Sequence, residues 1–482
     1  MTTPRRLWPV LVCLMIVMLL GAIDQTASAP ALPHIAGEFG GLEVMPLIVV
    51  AYLGAATASM PAYGKLGDRF GRRPLLLIAI GLFTAGALAA ALAGSLPVFI
   101  GARIVQGLGG GGLMLGAQAV IGEIVSPRER GRYLGWIGMV YVIAAVGGPV
   151  VGGLVIQTVG WRWIFIGYLP LAVLAYVLTL RTIGLPMPRV RRPFDVLGAA
   201  SIAVLIAGVV ATASLTATAS LTATGAGWPV AATLLAVIAI AAVCWVVTAV
   251  RAADPVIPLR LFRDAAFSVP VGVSFLIGVA LFGTISFLPA VVQLGFGVSP
   301  VVAASTVTIA MGGVIVTMTA SGRIISRTGR YRVFPIVGTA MAAIGLGLLG
   351  AVRTDTPIWA AALVLLVMGA GVGFVMQVML LVAQNAVTHD NLGVATSTVV
   401  FVRQVGATVG VAVTGALINL QTAGVPADAY LAAAVPVLGY GAGVLVVAFV
   451  LTILLPARPL RTSAGAVEAP HSAVVERSGE TT

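Results

Sequence analysis

Of the 482 residues, 60% are hydrophobic and only 9% charged, and the mean hydropathy is +1.10. That leaves too little polar surface to wrap a water-soluble globule. A net charge of +12 would suggest a nucleic-acid partner in a soluble protein, but the charges follow a bilayer and exclude that reading.

A helix needs about 20 apolar residues to cross the hydrocarbon core. Fourteen stretches meet that length, at 8–33, 45–63, 75–93, 97–121, 133–157, 163–182, 195–214, 228–250, 267–292, 300–321, 333–352, 358–382, 394–418 and 430–455. The fold class expected is therefore all-α and polytopic. Lys and Arg gather at the termini (Arg5, Arg6, Arg458, Arg461, Arg477) and in the gaps after even-numbered spans. Those gaps hold Lys65 to Arg73, Arg128 to Arg132, Arg181 to Arg192, Arg251 to Arg263 and Arg323 to Arg332; Arg103, Arg162, Arg353 and Arg403 fall elsewhere. The positive-inside rule then predicts a multi-pass protein of the cytoplasmic membrane with both termini in the cytoplasm. Arg5 and Arg6 before an apolar run, with Ala27-Ser28-Ala29 beyond it, imitate a cleavable signal. Cleavage would leave thirteen spans with the basic gaps on the wrong side, so the first span is expected to stay. Cys13 and Cys244 lie in different spans without metal-like spacing and are expected to be inert packing residues.

The chain repeats itself. Gly64-Lys65-Leu66-Gly67-Asp68-Arg69-Phe70-Gly71-Arg72 after the second span returns as Gly322-Arg323-Ile324-Ile325-Ser326-Arg327-Thr328-Gly329-Arg330 after the tenth. Gly107, Gly109, Gly111 and Met114 of the fourth span return as Gly369, Gly371, Gly373 and Met376 of the twelfth. Two matches in one order predict two parallel six-helix halves, 1–185 and 267–456, with two helices inserted at 186–266 between basic, Pro-rich linkers and a disordered cytoplasmic tail at 457–482. Substrate then belongs between the halves, near mid-membrane. Ala213 to Thr218 recurs letter for letter as Ala219 to Thr224, a tandem duplication expected in a polar loop.

Ionisable groups deep in a membrane are costly and mark function by default. Asp24 is the one acid well inside a span, two-thirds of the way up the first; Arg103 lies a quarter of the way down the fourth. Antiparallel spans put the two at one depth, where they can pair. The functional reading is a proton-coupling carboxylate tuned by Arg103; the alternative is a static pair that fixes helix packing. Gly107 and Gly111 follow Arg103 at i+4 and i+8, a smooth stripe for close packing. Gly147-Gly148-Pro149-Val150-Val151-Gly152-Gly153 in the fifth span predicts a tightly packed bend, absent from the thirteenth, where Gly406 and Gly410 recur but Val411 replaces the proline.

In the 64–73 loop the glycines allow a tight turn, Asp68 can meet a helix N-terminus or an arginine, and Arg69, Arg72 and Arg73 hold the membrane face. Gln25, Gln118, Gln293, Gln377 and Arg403 are candidate cavity-lining polar groups, with Tyr52, Trp136, Met139 and Phe287 as apolar neighbours; each alone could equally be interhelical glue. The three histidines are scattered and no phosphate loop or metal cluster appears, so no enzyme chemistry is expected.

Over residues 8 to 456 these features resemble the major facilitator superfamily, specifically its fourteen-helix drug:proton antiporter branch. Four motifs carry the resemblance: Gly21-Ala22-Ile23-Asp24-Gln25-Thr26 with Ala31-Leu32-Pro33; Gly64 to Arg73; Arg103 with Gln106-Gly107; and Gly148-Pro149 with Gly152-Gly153. Trp161-Arg162-Trp163-Ile164-Phe165 and Arg192-Pro193-Phe194-Asp195 echo it. The resemblance implies two six-helix bundles plus two inserted helices, and a monomer that exports amphipathic or hydrophobic compounds against inward proton flow. Asp24 and Arg103 match family positions tied to coupling, and the helix-5 glycines and proline match its antiporter signature. The energy source implied is the proton gradient, with no cofactor, metal or nucleic acid. Ala144, Tyr168 and a thirteenth span without acids depart from the pattern, which implies a narrower cation repertoire or fewer protons per cycle. A symporter or a lipid, siderophore or metabolite carrier would share the fold and differ in the direction of flow. A sensor or scaffold would need a larger soluble domain than any gap here allows.

Overall fold

The computed structural model describes residues 4–124, 130–184, 195–217, 227–252, 255, 257–353, 356–388, 392–422, 425, 430–456 and 458–459. Fourteen long helices succeed one another in these residues: α1 Pro4–Ala27, α2 Met45–Phe70, α3 Arg72–Ala91, α4 Leu96–Ile124, α5 Arg130–Thr158, α6 Arg162–Thr182, α7 Val196–Ala217, α8 Gly227–Arg251, α9 Ala265–Phe296, α10 Pro300–Thr328, α11 Val333–Leu349, α12 Ile358–Asn385, α13 Leu392–Thr422 and α14 Tyr430–Ile453. Eleven spans are long and apolar enough to cross a membrane; the described apolar stretches of α5, α7 and α11 are shorter. The first span is broken where Pro30 and Pro33 enter, continuing past α1 as a short turn and a short helix, Leu32–Phe39.

The halves repeat in packing. In the first, α1 lies against α4, α5 and α6, and α4 against α2 and α3; in the second, α9 lies against α12, α13 and α14, and α12 against α10 and α11. Glycines set these distances. Gly107 and Gly111 of α4 lie on the Tyr52 and Ala56 carbonyls of α2, and Gly369 and Gly373 of α12 lie on the Ala310 and Val314 carbonyls of α10. A side chain at any of the four would meet backbone.

The halves meet along two seams, α5 with α10 and α2 with α13. Thr308 Oγ1 donates to the Val146 carbonyl across the first at 2.9 Å, and the Thr57 and Thr408 hydroxyls share a hydrogen bond across the second at 3.0 Å. At the end opposite the chain termini, Gln293 Nε2 donates to the Pro30 carbonyl at 3.0 Å and Asn419 Nδ2 to the Glu43 carbonyl at 2.7 Å. The halves are therefore fastened together at that end. Of the inserted pair, α7 packs on both α2 and α13, while α8 packs on α7 and leaves Ile240, Val243, Val246 and Val250 exposed.

Several expectations need correction. Cys13 is a buried packing residue, but Cys244 lies exposed on α8, whose apolar face needs no partner in lipid. Ala213 to Ala217 of the duplicated segment are helical rather than loop, because an Ala/Thr run extends α7; residues 218–226 lie outside the described residues. The tail does not break away at residue 457: the Arg458 guanidinium donates to both Asp264 oxygens at 2.7 and 3.0 Å, the Arg458 amide donates to Tyr331 Oη, and Asn385 donates to the Pro459 carbonyl. Burial pushes the Asp264 carboxyl up, but Arg458 and the Ala266 amide outweigh it and hold the group below the usual carboxylate range. The disorder expected beyond Pro459, and the linker at 185–194, lie outside the described residues.

The helix-5 glycines join three helices. Gly148 lies against Thr26 and Gly152 against the Ala27 carbonyl, while Gly153 faces Pro300 and Val301 of the second half. Gly152→Val is expected to force α1 and α5 apart at about 1–3 kcal/mol and to lower the apparent melting temperature in detergent by several degrees. Gly147→Ala, which meets open space five residues earlier, is the control expected not to lower it.

Candidate functional site

α1 and α4 run antiparallel, which brings Asp24, late in the first, level with Arg103, early in the second. Asp24 is fully buried and Arg103 is 3% exposed. Arg103 Nη1 donates to Asp24 Oδ1 at 2.9 Å and Oδ2 at 3.2 Å. Gln106, one turn beyond Arg103 on the same face, completes a ring: its Oε1 accepts from Arg103 Nη1 at 2.7 Å and its Nε2 donates to Asp24 Oδ1 at 3.1 Å. The guanidinium carbon stands 4.4 Å from the Tyr52 ring centroid and 5.6 Å from that of Phe165, so aromatic faces cover the cation. A small cavity lies beside the pair, lined by Gln25, Ser28, Tyr52, Arg103, Phe282 and Ser286 among others. Arg103 Nε is buried without a hydrogen-bond partner.

Among the described residues the second half has no buried counterpart of the pair: α9 carries no acid and α12 no base. The charged pair belongs to the first half alone.

The remaining candidate residues are not gathered into one cavity. Gln25 and Tyr52 line the cavity at the pair. Phe287 is 1% exposed and packs against Gly415, and Gln293 is spent on the Pro30 carbonyl, so both help to close the end opposite the termini. Gln118 on α4 and Arg403 on α13 are half-buried, and Gln377 on α12 is exposed. The side chains of Trp136 and Met139 lie outside the described residues.

The 64–73 segment is not the expected loop: Gly64 and Gly67 stay helical in α2, and the sharp turn between α2 and α3 is confined to Gly71. Gly71 adopts φ +90°, which an L side chain rarely tolerates, and its amide donates to the Gly67 carbonyl at 3.0 Å. Arg72 Nη1 reaches back to the Gly64 carbonyl at 3.1 Å and Arg73 Nη2 reaches the Leu180 carbonyl of α6 at 2.6 Å, while Arg69 stacks on Phe70. The Asp68 side chain lies outside the described residues. At the other end, Arg162 and the Trp161 indole both donate to the Glu38 carboxylate, and Arg162 also donates to the Ala93 carbonyl. The tryptophan motif thus clamps the Leu32–Phe39 helix and the α3–α4 turn to the head of α6.

The family model described as Major Facilitator Superfamily matches residues 14–411, nearly the whole helical body. The chain belongs to the Major Facilitator Superfamily. Its apolar helices make it a multi-pass membrane protein of that family. Among similar proteins, an uncharacterized MFS-type transporter of Mycobacterium tuberculosis is 34% identical over 404 residues, which are 83% of this chain and 58% of the relative; this facilitator thus spans little more than half the length of that protein. The multidrug transporter protein MdtP of Bacillus subtilis is 30% identical, with 86% of this chain and 76% of the relative covered. The MFS-type efflux pump LUC4 of a Fusarium species is 32% identical, with 86% and 74% covered. Among solved structures, a D-xylose–proton symporter superposes with a TM-score of 0.67 at 16% identity, over 93% of this facilitator and 98% of that chain, a likeness of fold.

Two residues at the site carry more than the sequence suggested. Gln106 stood within a motif, and its i+3 spacing from Arg103 was the available signal. Tyr168 stood out only as a departure from the family pattern.

Proposed function

We propose that this facilitator is a proton-coupled antiporter that exports hydrophobic or amphipathic small molecules, drugs and antibiotics among them, across the cytoplasmic membrane by alternating access. The observation that carries this reading is the Asp24–Arg103 pair, a fully desolvated carboxylate bonded to a buried guanidinium. When the pair separates, a bare carboxylate in low dielectric is relieved by taking a proton. Re-forming the pair expels it. Because both partners lie in the first half, the pair separates by a shift of α4 against α1 within that half; such a shift, coupled to the rocking of the two halves, links proton binding to the state of the carrier. Relatives named as a multidrug transporter and an efflux pump support the direction and the breadth of cargo. The proton gradient is the energy source, the bilayer the surroundings, and a monomer suffices because each chain holds both halves.

The test uses the full chain in proteoliposomes with an imposed pH gradient and a panel of lipophilic cations, neutral and acidic compounds. Uphill movement opposite to protons is expected for part of the panel. Movement with protons would make the protein a symporter and overturn the reading.

Asp68 is assigned to a latch that closes the cytoplasmic side, meeting the N-terminus of α13 near Leu392 to Ala395; an acid at a helix N-terminus gains about 0.3–1 kcal/mol. Its counterpart Ser326 is exposed and bonds only to its own helix, at the Arg323 carbonyl. Asp68→Asn is expected to favour the inward-open state severalfold and Ser326→Ala to change little. Cysteine accessibility measured from both faces checks this, and an unchanged pattern in Asp68→Asn removes the latch.

A further inference from the structure

α6 brings to the ion pair a tyrosine that the coupling just described does not use. Tyr168 follows Phe165 at i+3, so both rings share one face of the helix. The Tyr168 ring packs against Phe165, with centroids 6.1 Å apart, and against Phe83 of α3 at 5.9 Å. The residue is 4% exposed, and among the described residues its hydroxyl makes no hydrogen bond of ordinary geometry, although it lies against the Asp24 carboxylate. A hydroxyl stranded among aromatic rings is costly, so a partner at some stage of the cycle is the natural explanation for its being there. The acceptor it faces is the Asp24 carboxylate.

That carboxylate has room for it. Oδ1 accepts from Arg103 Nη1 and Gln106 Nε2, whereas Oδ2 accepts only the longer contact from the same Arg103 nitrogen. A carboxylate offers about four lone-pair sites. We infer that Tyr168 is a positioning residue for the proton on Asp24: its hydroxyl donates to the carboxylate once Arg103 moves off, and accepts from the carboxyl once Asp24 is protonated. The inference rests on Asp24 being the coupling carboxylate. Because a hydrogen bond to a charged acceptor is about twice as strong as one between neutral groups, the hydroxyl favours the charged form and lets the proton go. The titratable and charged groups facing Asp24 are Arg103 from α4 and Tyr168 from α6, with Tyr52 from α2 against the Arg103 guanidinium; among the described residues α5 brings none.

The test is Tyr168→Phe, which keeps the ring and removes the oxygen. Infrared difference spectra of the purified full chain, titrated against pH, follow the carboxyl C=O band of protonated Asp24, assigned by its loss in Asp24→Asn. The expected result is a band moved to higher frequency, as a carboxyl with fewer hydrogen bonds gives, and a titration midpoint moved alkaline by about one pH unit, roughly tenfold in proton affinity. Placing 3-fluorotyrosine, a stronger donor, at position 168 is expected to move the midpoint the other way, and this second measurement stands if Tyr168→Phe does not purify. A hydroxyl that only fills space would leave band and midpoint where they are in both variants, and that outcome overturns the inference. Proton-driven transport persisting in Asp24→Asn would instead overturn the coupling role of Asp24, while the band shift would still register the contact.

Discussion

Asp24→Asn is expected to keep the fold and substrate binding while losing uphill transport. Asparagine preserves the carbonyl oxygen that receives Arg103 Nη1, and the guanidinium keeps its Gln106 acceptor and its Tyr52 and Phe165 faces. What disappears is the carboxylate to which the proposed mechanism assigns the transported proton. A gradient of one pH unit stores about 1.4 kcal/mol per proton, enough for tenfold accumulation of cargo. In proteoliposomes the unmodified chain is therefore expected to build a ratio of roughly ten per proton coupled, whereas Asp24→Asn should come to rest at equal concentrations. Accumulation by the variant at the unmodified ratio would sink the assignment.

The second expected result separates a coupling pair from a structural one. Arg103→Met leaves the Asp24 carboxylate buried and without its cation, and breaking a buried pair from one side costs about 3–5 kcal/mol. Replacing both members, Asp24→Leu with Arg103→Met, removes the stranded charge, and buried pairs replaced in that way often cost nothing. Thermal melting in detergent is expected to fall steeply in Arg103→Met and to recover most of the loss in the double variant. Uphill transport should be absent from both. A double variant that is stable and still transports uphill would reduce the pair to packing, and one as unstable as Arg103→Met would show that the aromatic shell, not the charge, holds the site together.

Both charged residues, their shared depth and the glycine stripe were legible in the sequence, for two different reasons. A charge inside an apolar span is conspicuous because the bilayer penalises it, and helical rise alone converts chain position into depth. Glycines at i and i+4 announce close approach because any side chain there would collide with the neighbouring backbone. Azimuth was not legible. Gln25 and Gln293 are the same residue type in similar apolar spans, yet one lines the cavity and the other is bonded to the backbone at Pro30; which way a residue turns depends on how neighbouring helices set the rotation of its own. Phe287 lies buried against Gly415 for that reason, and the hold of Arg458 on Asp264 has no local signal because the partners are 194 positions apart.

Equal packing and unequal charge in the two halves bear on how such a chain diverges after duplication. The steric pattern asks only for smallness at single positions, so each glycine contact can be inherited separately, and Gly107 and Gly369 still do the same work. A buried ion pair is inherited differently. Losing the cation alone strands the carboxylate at a cost comparable to much of a domain's stability, so drift from that side passes through a deep valley unless both go together. That α9 has no acid and α12 no base is the outcome such a valley favours, with the pair retained whole in one copy and absent whole from the other.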